Sequence, residues 1–340
     1  MTLSKLTKLT TKLLDKYDLY APTQEEDRIV IKKIEKNDAV DYSGVIPENL
    51  FRNLFLPYEE SLSKITYTAK SAKSKSTAND QSPVKSILSS IKRDTGQKLI
   101  SRLEIAWGMH LLDLRALAML DLVFKNDPYY TARRAEILVV GFKKSDRLDN
   151  FIKLADRILN HIQFDLFLVK VKDKFYWASG SIAGQEFIKK HHLKSFQHFV
   201  FRGYTPKLGL DPNIEIWRRK IKKSKNHPIW LELAKICLAC GKCTANCPTC
   251  FCFNLEQETL ENKTCLARRQ TSCFYPEFAK VAGDMNFLSD LADRLYFWYY
   301  HKFVRIPETL GIEGCVMCGR CYKTCPVDIG VAQTLARLEG

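Results

Sequence analysis

Cys237, Cys240, Cys243 and Cys247 are spaced C-x2-C-x2-C-x3-C and followed by Pro248. Cys315, Cys318, Cys321 and Cys325, followed by Pro326, repeat that pattern with every position displaced by 78 residues, and Gly241 and Gly319 recur within it, each ahead of a basic residue. Three thiolates at this spacing converge on one face of an iron-sulfur cube, while the fourth, turned away by the proline behind it, reaches a different cube. The expected ligand sets therefore cross. One 4Fe-4S cluster falls on Cys237, Cys240, Cys243 and Cys325, and a second on Cys315, Cys318, Cys321 and Cys247. The chemistry of such a pair is one-electron transfer, and no catalytic residue is expected beside it.

Other uses of these thiols fit less well. Structural zinc favours two separated C-x-x-C pairs around one ion rather than two unbroken four-cysteine runs. Disulfides belong to exported chains; here Lys5, Lys8, Lys12 and Lys16 interrupt any leader-like apolar stretch, so a cytoplasmic protein with reduced cysteines is expected. Four further cysteines, Cys250, Cys252, Cys265 and Cys273, follow no ligand spacing of their own, and the alternatives for them are buried thiols or a third iron-sulfur cluster. The seven histidines include no acid-flanked i, i+4 pair and take no ligand role. A cube with four thiolates carries about −2 when oxidised, so Lys242, Arg320 and Lys323, lying inside the runs, are candidates for tuning its potential.

Positioning these runs requires a fold, and the chain of 340 residues is long enough for two domains. All twelve cysteines lie from residue 237 onward. Charge divides nearby: from residue 226 on there are 12 Lys/Arg against 12 Asp/Glu, so the whole +15 belongs to the first 225 residues. The fold class expected is α+β: an N-terminal mixed α/β domain, residues 1–225, followed by an α-helical two-cluster ferredoxin domain, residues 226–340. Within the first, Ser4 is expected to cap a helix that Pro22 ends. Strands are expected at 28–34, 105–109, 136–141, 164–171 and 175–179, with a helix over 111–124. Residues 69–94, rich in Ser, Lys, Thr and Asn, read as a mobile loop. Residues 218–225, with six basic side chains in eight, read as a basic linker. Between the runs, helices are expected at 276–281 and 288–301.

No uncharged apolar stretch reaches the ~18–20 residues of a membrane span. No dinucleotide or Walker-type loop is present either, since Gly180 to Gly184 lacks the required spacing. The basic excess admits one rival, an iron-sulfur nucleic-acid-binding protein, whose mark would be binding that weakens steeply with salt. A second rival is a self-contained reductase that uses the spare thiols.

In six stretches the chain resembles the beta subunit of cytoplasmic sulfhydrogenase-type nickel-iron hydrogenases and its relative, the iron-sulfur subunit of anaerobic sulfite reductase. The carriers are LLDKYDLYAP (13–22), NLFLPYEE (53–60), DLRALAMLD (113–121), CLACGKCTANCPTCFCF (237–253), SCFYPEF (272–278) and YYHKFVRIPETLGIEGCVMCGRCYKTCPV (299–327). The resemblance implies an electron-transfer subunit between a flavin-containing subunit that exchanges hydride with NAD(P)H and a metal-bearing catalytic subunit, either a hydrogenase small subunit or a siroheme subunit. It also implies a place for Cys250, Cys252 and Cys273 in a third cluster, because those positions are usually cysteine in such relatives. One departure is that cysteines often follow the strand matching EILVVG in those relatives, whereas Phe142, Lys143 and Lys144 stand here.

Overall fold

The computed structural model describes residues 1–66, 104–204, 214–260 and 263–338. Its strands are β1 (Asp18–Glu25), β2 (Arg28–Lys33), β3 (Glu59–Thr66), β4 (Glu104–His110), β5 (Ile137–Ser145), β6 (Leu166–Val171), β7 (Lys174–Ser179), β8 (Ser195–His198), β9 (Phe253–Leu260) and β10 (Lys263–Gln270). Seven of them form one sheet in the order β2-β1-β4-β5-β6-β7-β8. Its centre, β1-β4-β5-β6, is parallel; β2 runs against β1, and β7 runs against β6 with β8 parallel to it.

Alternating side chains feed a core on each face of this sheet. In β6, Leu166 and Leu168 enter one buried cluster while Phe167 and Val169 enter the other. Both faces must then be covered, as parallel strands require. Helices Leu3–Leu14 and Ile182–Lys190 cover one face, and Leu111–Val123, Pro128–Glu136 and Leu148–Ile158 cover the other. Helix Leu111–Val123 is apolar on nearly all sides because it lies beneath further chain. Its start is fixed by His110, whose ring nitrogen accepts from the Leu112 N–H at 3.2 Å.

Two local expectations are corrected. The first helix starts at Leu3, with Thr2 rather than Ser4 at its N-terminal boundary. Pro22 ends no helix; it lies inside β1. It is tolerated there because β4 pairs only with Asp18 to Tyr20, and Ile31, its partner in β2, turns its N–H and carbonyl to the Asn49 side chain instead.

By contact the chain divides into two compact units. The first comprises Met1–Leu56, Arg102–Phe251 and Ser272–Gly340, and so contains the sheet and both cysteine runs. Ile306 and Ile312, from between the runs, share a core with the Leu111 helix. The division expected at residue 225 is therefore not a break in packing. Residues 218–225, expected as a linker, belong largely to helix Ile214–Lys223, which anchors through fully buried Ile221 while its basic side chains line the other side. Residues 69–94 lie outside the described residues.

The second unit, Pro57–Ser101 with Cys252–Thr271, holds an antiparallel sheet in the order β3-β10-β9. Among its described residues few apolar side chains are buried. It is tied instead by the buried pair Arg268–Glu60 and by Arg269, which contacts both Glu59 and Glu256 across the strands.

Candidate metal centre

The two runs fold alike. Ala239 and Met317, 78 residues apart, both have positive φ (51° and 54°), as do Gly241 and Gly319 (72° and 77°). Each glycine opens a single helical turn, Lys242–Ala245 in one run and Arg320–Lys323 in the other. The left-handed steps curl the chain around its own thiols, which turns backbone N–H groups toward sulfur. Ala239 donates to Cys237 Sγ at 3.4 Å and Ile329 to Cys325 Sγ at 3.3 Å. Such donors stabilise thiolate and the sulfur of a cluster alike.

The fourth cysteine of each run leaves its own loop. One cavity is lined by Cys237, Cys240, Cys243 and Cys325, with Phe274, Leu295, Tyr299 and Ile329 among its apolar walls. The second is lined by Cys315, Cys318, Cys321 and Cys247, with Thr249 and Lys302 beside them. Cys321 and Trp298 line both, and so stand on the wall between the two.

Every thiol donor here is soft, the ligand type iron-sulfur clusters take. Two further observations match an anionic sulfur-bearing group. Trp298 is buried and its indole N–H has no acceptor among the described residues, a cost that a cluster sulfur would remove. Lys302 is buried too, and its Nζ donates to Cys247 Sγ at 3.2 Å, Thr249 Oγ1 at 2.9 Å and the Gly314 carbonyl at 3.2 Å. A buried ammonium whose partners among the described residues include no carboxylate is expensive unless anionic sulfur answers it.

The thiol electrostatics follow. Burial pushes Cys315 and Cys321 up to about 12 and raises Cys237, Cys243 and Cys318 as well, so filling either cavity with metal must expel protons. Cys247 goes the other way. Its hydrogen bond from Cys250 first, then the Lys302 charge and the Thr249 hydroxyl, hold it well below the ordinary thiol range. Burial opposes the Lys302 charge, yet the nearby sulfurs of Cys247, Cys250 and Cys315 and its hydrogen bond to Cys247 keep its ammonium well above the usual lysine range.

Of the cations expected to tune these sites, Lys242 and Lys323 are exposed, while Arg320 is buried and bound bidentately to Asp113, at 2.6 and 2.9 Å. Among the spare cysteines, Cys250 sits beside Cys247 and Cys273 beside Cys243, each next to a member of a run. Cys252 and Cys265 belong to the second unit.

Two functional side chains stand outside the runs and carry no motif. Lys302 lies in a π turn, His301–Arg305, that interrupts the helix running from Leu291 to Leu310. Pro307 explains the turn, because it cannot donate to the Phe303 carbonyl and its ring crowds that oxygen. Gly314 lets the following loop close on it: a Cβ there would stand 2.5 Å from the Lys302 carbonyl. Arg52, from the helical turn Arg52–Phe55, donates to the carbonyls of Cys247 (2.8 Å), Cys250 (2.7 Å) and Ala245 (3.1 Å). It thereby fixes the turn that sends Cys247 to the second cavity. Arg52→Ala is expected to take this donor from all three carbonyls, leaving that of Cys247 only the Cys250 N–H, and to lower stability by about 1–3 kcal/mol, measured by anaerobic urea unfolding.

Among the described residues no helix is long and apolar enough to cross a membrane. Residues 236–329 match the family model of the 4Fe-4S dicluster domain. Over 245 residues the chain is 31% identical to sulfhydrogenase 2 subunit beta of Pyrococcus furiosus, an alignment covering 66% of this chain and 71% of that protein. No solved structure matches the chain. With duplicated thiol loops opening on two cavities and 31% identity over two-thirds of the chain, the chain belongs to the family of sulfhydrogenase beta subunits.

Proposed function

We propose that this chain is the iron-sulfur electron-transfer subunit of a cytoplasmic hydrogenase-type complex. It relays electrons between a flavin subunit that exchanges hydride with NAD(P)H and a nickel-iron catalytic pair. Two 4Fe-4S clusters carry them, one on Cys237, Cys240, Cys243 and Cys325 and one on Cys315, Cys318, Cys321 and Cys247. Residues 1–225 provide docking surface and residues 226–340 conduct.

The observation that carries this reading is the exchange of fourth cysteines between cavities, with Cys325 beside the first run and Cys247 beside the second. Crossing holds the clusters side by side with Cys321 and Trp298 between them. A hydride delivers two electrons and a cube accepts one, so two adjacent cubes can divide the pair. Cys240 is exposed, flanked by exposed Leu238 and Lys242, so the first cluster has an edge a partner can approach. Arg320 and Lys302 do not react; they hold charge and backbone in place around the second.

Anaerobic purification from the native host with all co-purifying subunits tests the reading. Iron and sulfide equivalent to two cubes in this chain, with a flavoprotein and a nickel-iron pair alongside, is the expected result. Zinc in place of iron would overturn the cluster assignment, and a siroheme protein in place of the nickel-iron pair would overturn the partner assignment.

A further inference from the structure

The two cavities differ in one respect that the duplicated runs conceal. Two buried cations, Lys302 and Arg320, and the partly buried Arg115 stand around the second. Arg320 is paired with Asp113, and Arg115 with Glu313 at 2.6 Å, so each of these brings its own counter-charge. Lys302 brings none among the described residues. Its three donors go to Cys247 Sγ, Thr249 Oγ1 and the Gly314 carbonyl, and the acidic groups it faces are the thiols of Cys247, Cys250 and Cys315. The other charged groups of its own turn, His301 and Arg305, carry no negative charge. The first cavity has no equivalent among the described residues, for its walls include Phe274, Leu295, Tyr299, Val327 and Ile329, and the cation in its lining, Lys242, is exposed to solvent.

We propose that Lys302 is the fixed counter-ion of the second cluster and makes it the higher-potential member of the pair, so that a single electron on the subunit rests on the cube of Cys315, Cys318, Cys321 and Cys247. Adding an electron to a cube adds negative charge. A desolvated ammonium hydrogen-bonded to one of its ligands stabilises that added charge far more than a solvated lysine does. The apolar walls of the first cavity work in the opposite sense and hold its cube harder to reduce. Transfer from the first cube to the second moves one electron, with no bond made or broken and no proton carried. The exposed Cys240 edge then serves the low-potential partner, and the buried Lys302 side serves as the store.

This inference rests on the crossed cluster assignment, and its test separates the two. Redox titration of the full chain in its native complex, followed by electron paramagnetic resonance, is carried out on the wild type, Lys302→Met, Lys302→Gln and Lys242→Met. Two resolved midpoint potentials are expected, of which Lys302→Met lowers only the upper one and Lys242→Met moves neither. Should Lys302→Met shed a cluster, Lys302→Gln, which keeps a donor without the charge, is expected to show the same downward shift. In Cys240→Ala the surviving cluster is expected to titrate at the upper potential, and in Cys318→Ala at the lower. Unchanged potentials in both Lys302 variants, or the reverse order in the cysteine variants, overturn the inference while leaving the two-cluster reading intact. A wild-type chain without iron and sulfide overturns that reading itself.

Discussion

Replacing Cys325 by alanine is expected to abolish the cluster of Cys237, Cys240 and Cys243 and to leave the cluster of its own run in place. Cys325 lines the cavity of the first run, and the turn carrying it is fixed locally by the Cys325 N–H bond to the Tyr322 carbonyl. Losing one thiolate of four opens a cube to solvent, so iron and sulfide should fall by about half. The diagnostic is identity of spectrum. The paramagnetic resonance of reduced Cys325→Ala should match that of Cys240→Ala, and Cys247→Ala should match Cys318→Ala. If Cys325→Ala instead matches Cys318→Ala, each run ligates its own cube and crossing is wrong. The test discriminates because Cys321 lines both cavities and proximity alone does not assign it, whereas Cys325 and Cys247 each line one.

The grouping of the thiols around two cavities was legible in the sequence because the four-cysteine spacing recurs at an interval of 78 residues. The sheet was legible for a similar reason. Ile137 to Val140 and Leu166 to Val169 are continuous apolar stretches, as a strand buried on both faces requires. What escaped was whatever lacked periodicity. β9 and β10 carry Glu, Gln, Lys and Arg where a half-buried strand would carry Val or Ile. Their sheet depends on ion pairs to Glu59 and Glu60, far earlier in the chain. Lys302 escaped because it is one lysine in an aromatic helix. The signal it did leave was its i, i+4 relation to Trp298, which puts a charge on the apolar stripe of the helix. Arg52 left no signal at all, since its partners in the first run are backbone carbonyls. Lys242 and Lys323 were singled out by nearness in sequence, yet nearness places neither of them inside the fold.

Asp113→Ala is expected to be the most destabilising substitution on the surface where the α/β sheet meets the second cysteine run. Arg320 stands between Gly319 and Cys321, and its guanidinium is buried, with both terminal nitrogens on the Asp113 carboxylate and Nε on the Pro47 carbonyl at 2.7 Å. Asp113 is in the first turn of helix Leu111–Val123, so one side chain joins that helix, the loop around Pro47 and the second ligand run. Removing the carboxylate leaves a buried cation without its partner, at a cost of about 3–5 kcal/mol. Replacing both groups, Asp113→Leu with Arg320→Met, removes the charge problem and should recover most of that loss. It should still fall about 1–3 kcal/mol short of wild type, because Pro47 keeps a buried carbonyl with no donor. Anaerobic urea unfolding of Asp113→Leu, Arg320→Met and the double variant gives the coupling directly. Because Arg320 holds the loop that carries Cys318, the single variants should also bleach faster in air, and the variant with both groups replaced should bleach more slowly than either. Strictly additive stabilities across the cycle would mean that the carboxylate and the guanidinium act independently, and the packing of helix Leu111–Val123 would then have no hold on the second cluster.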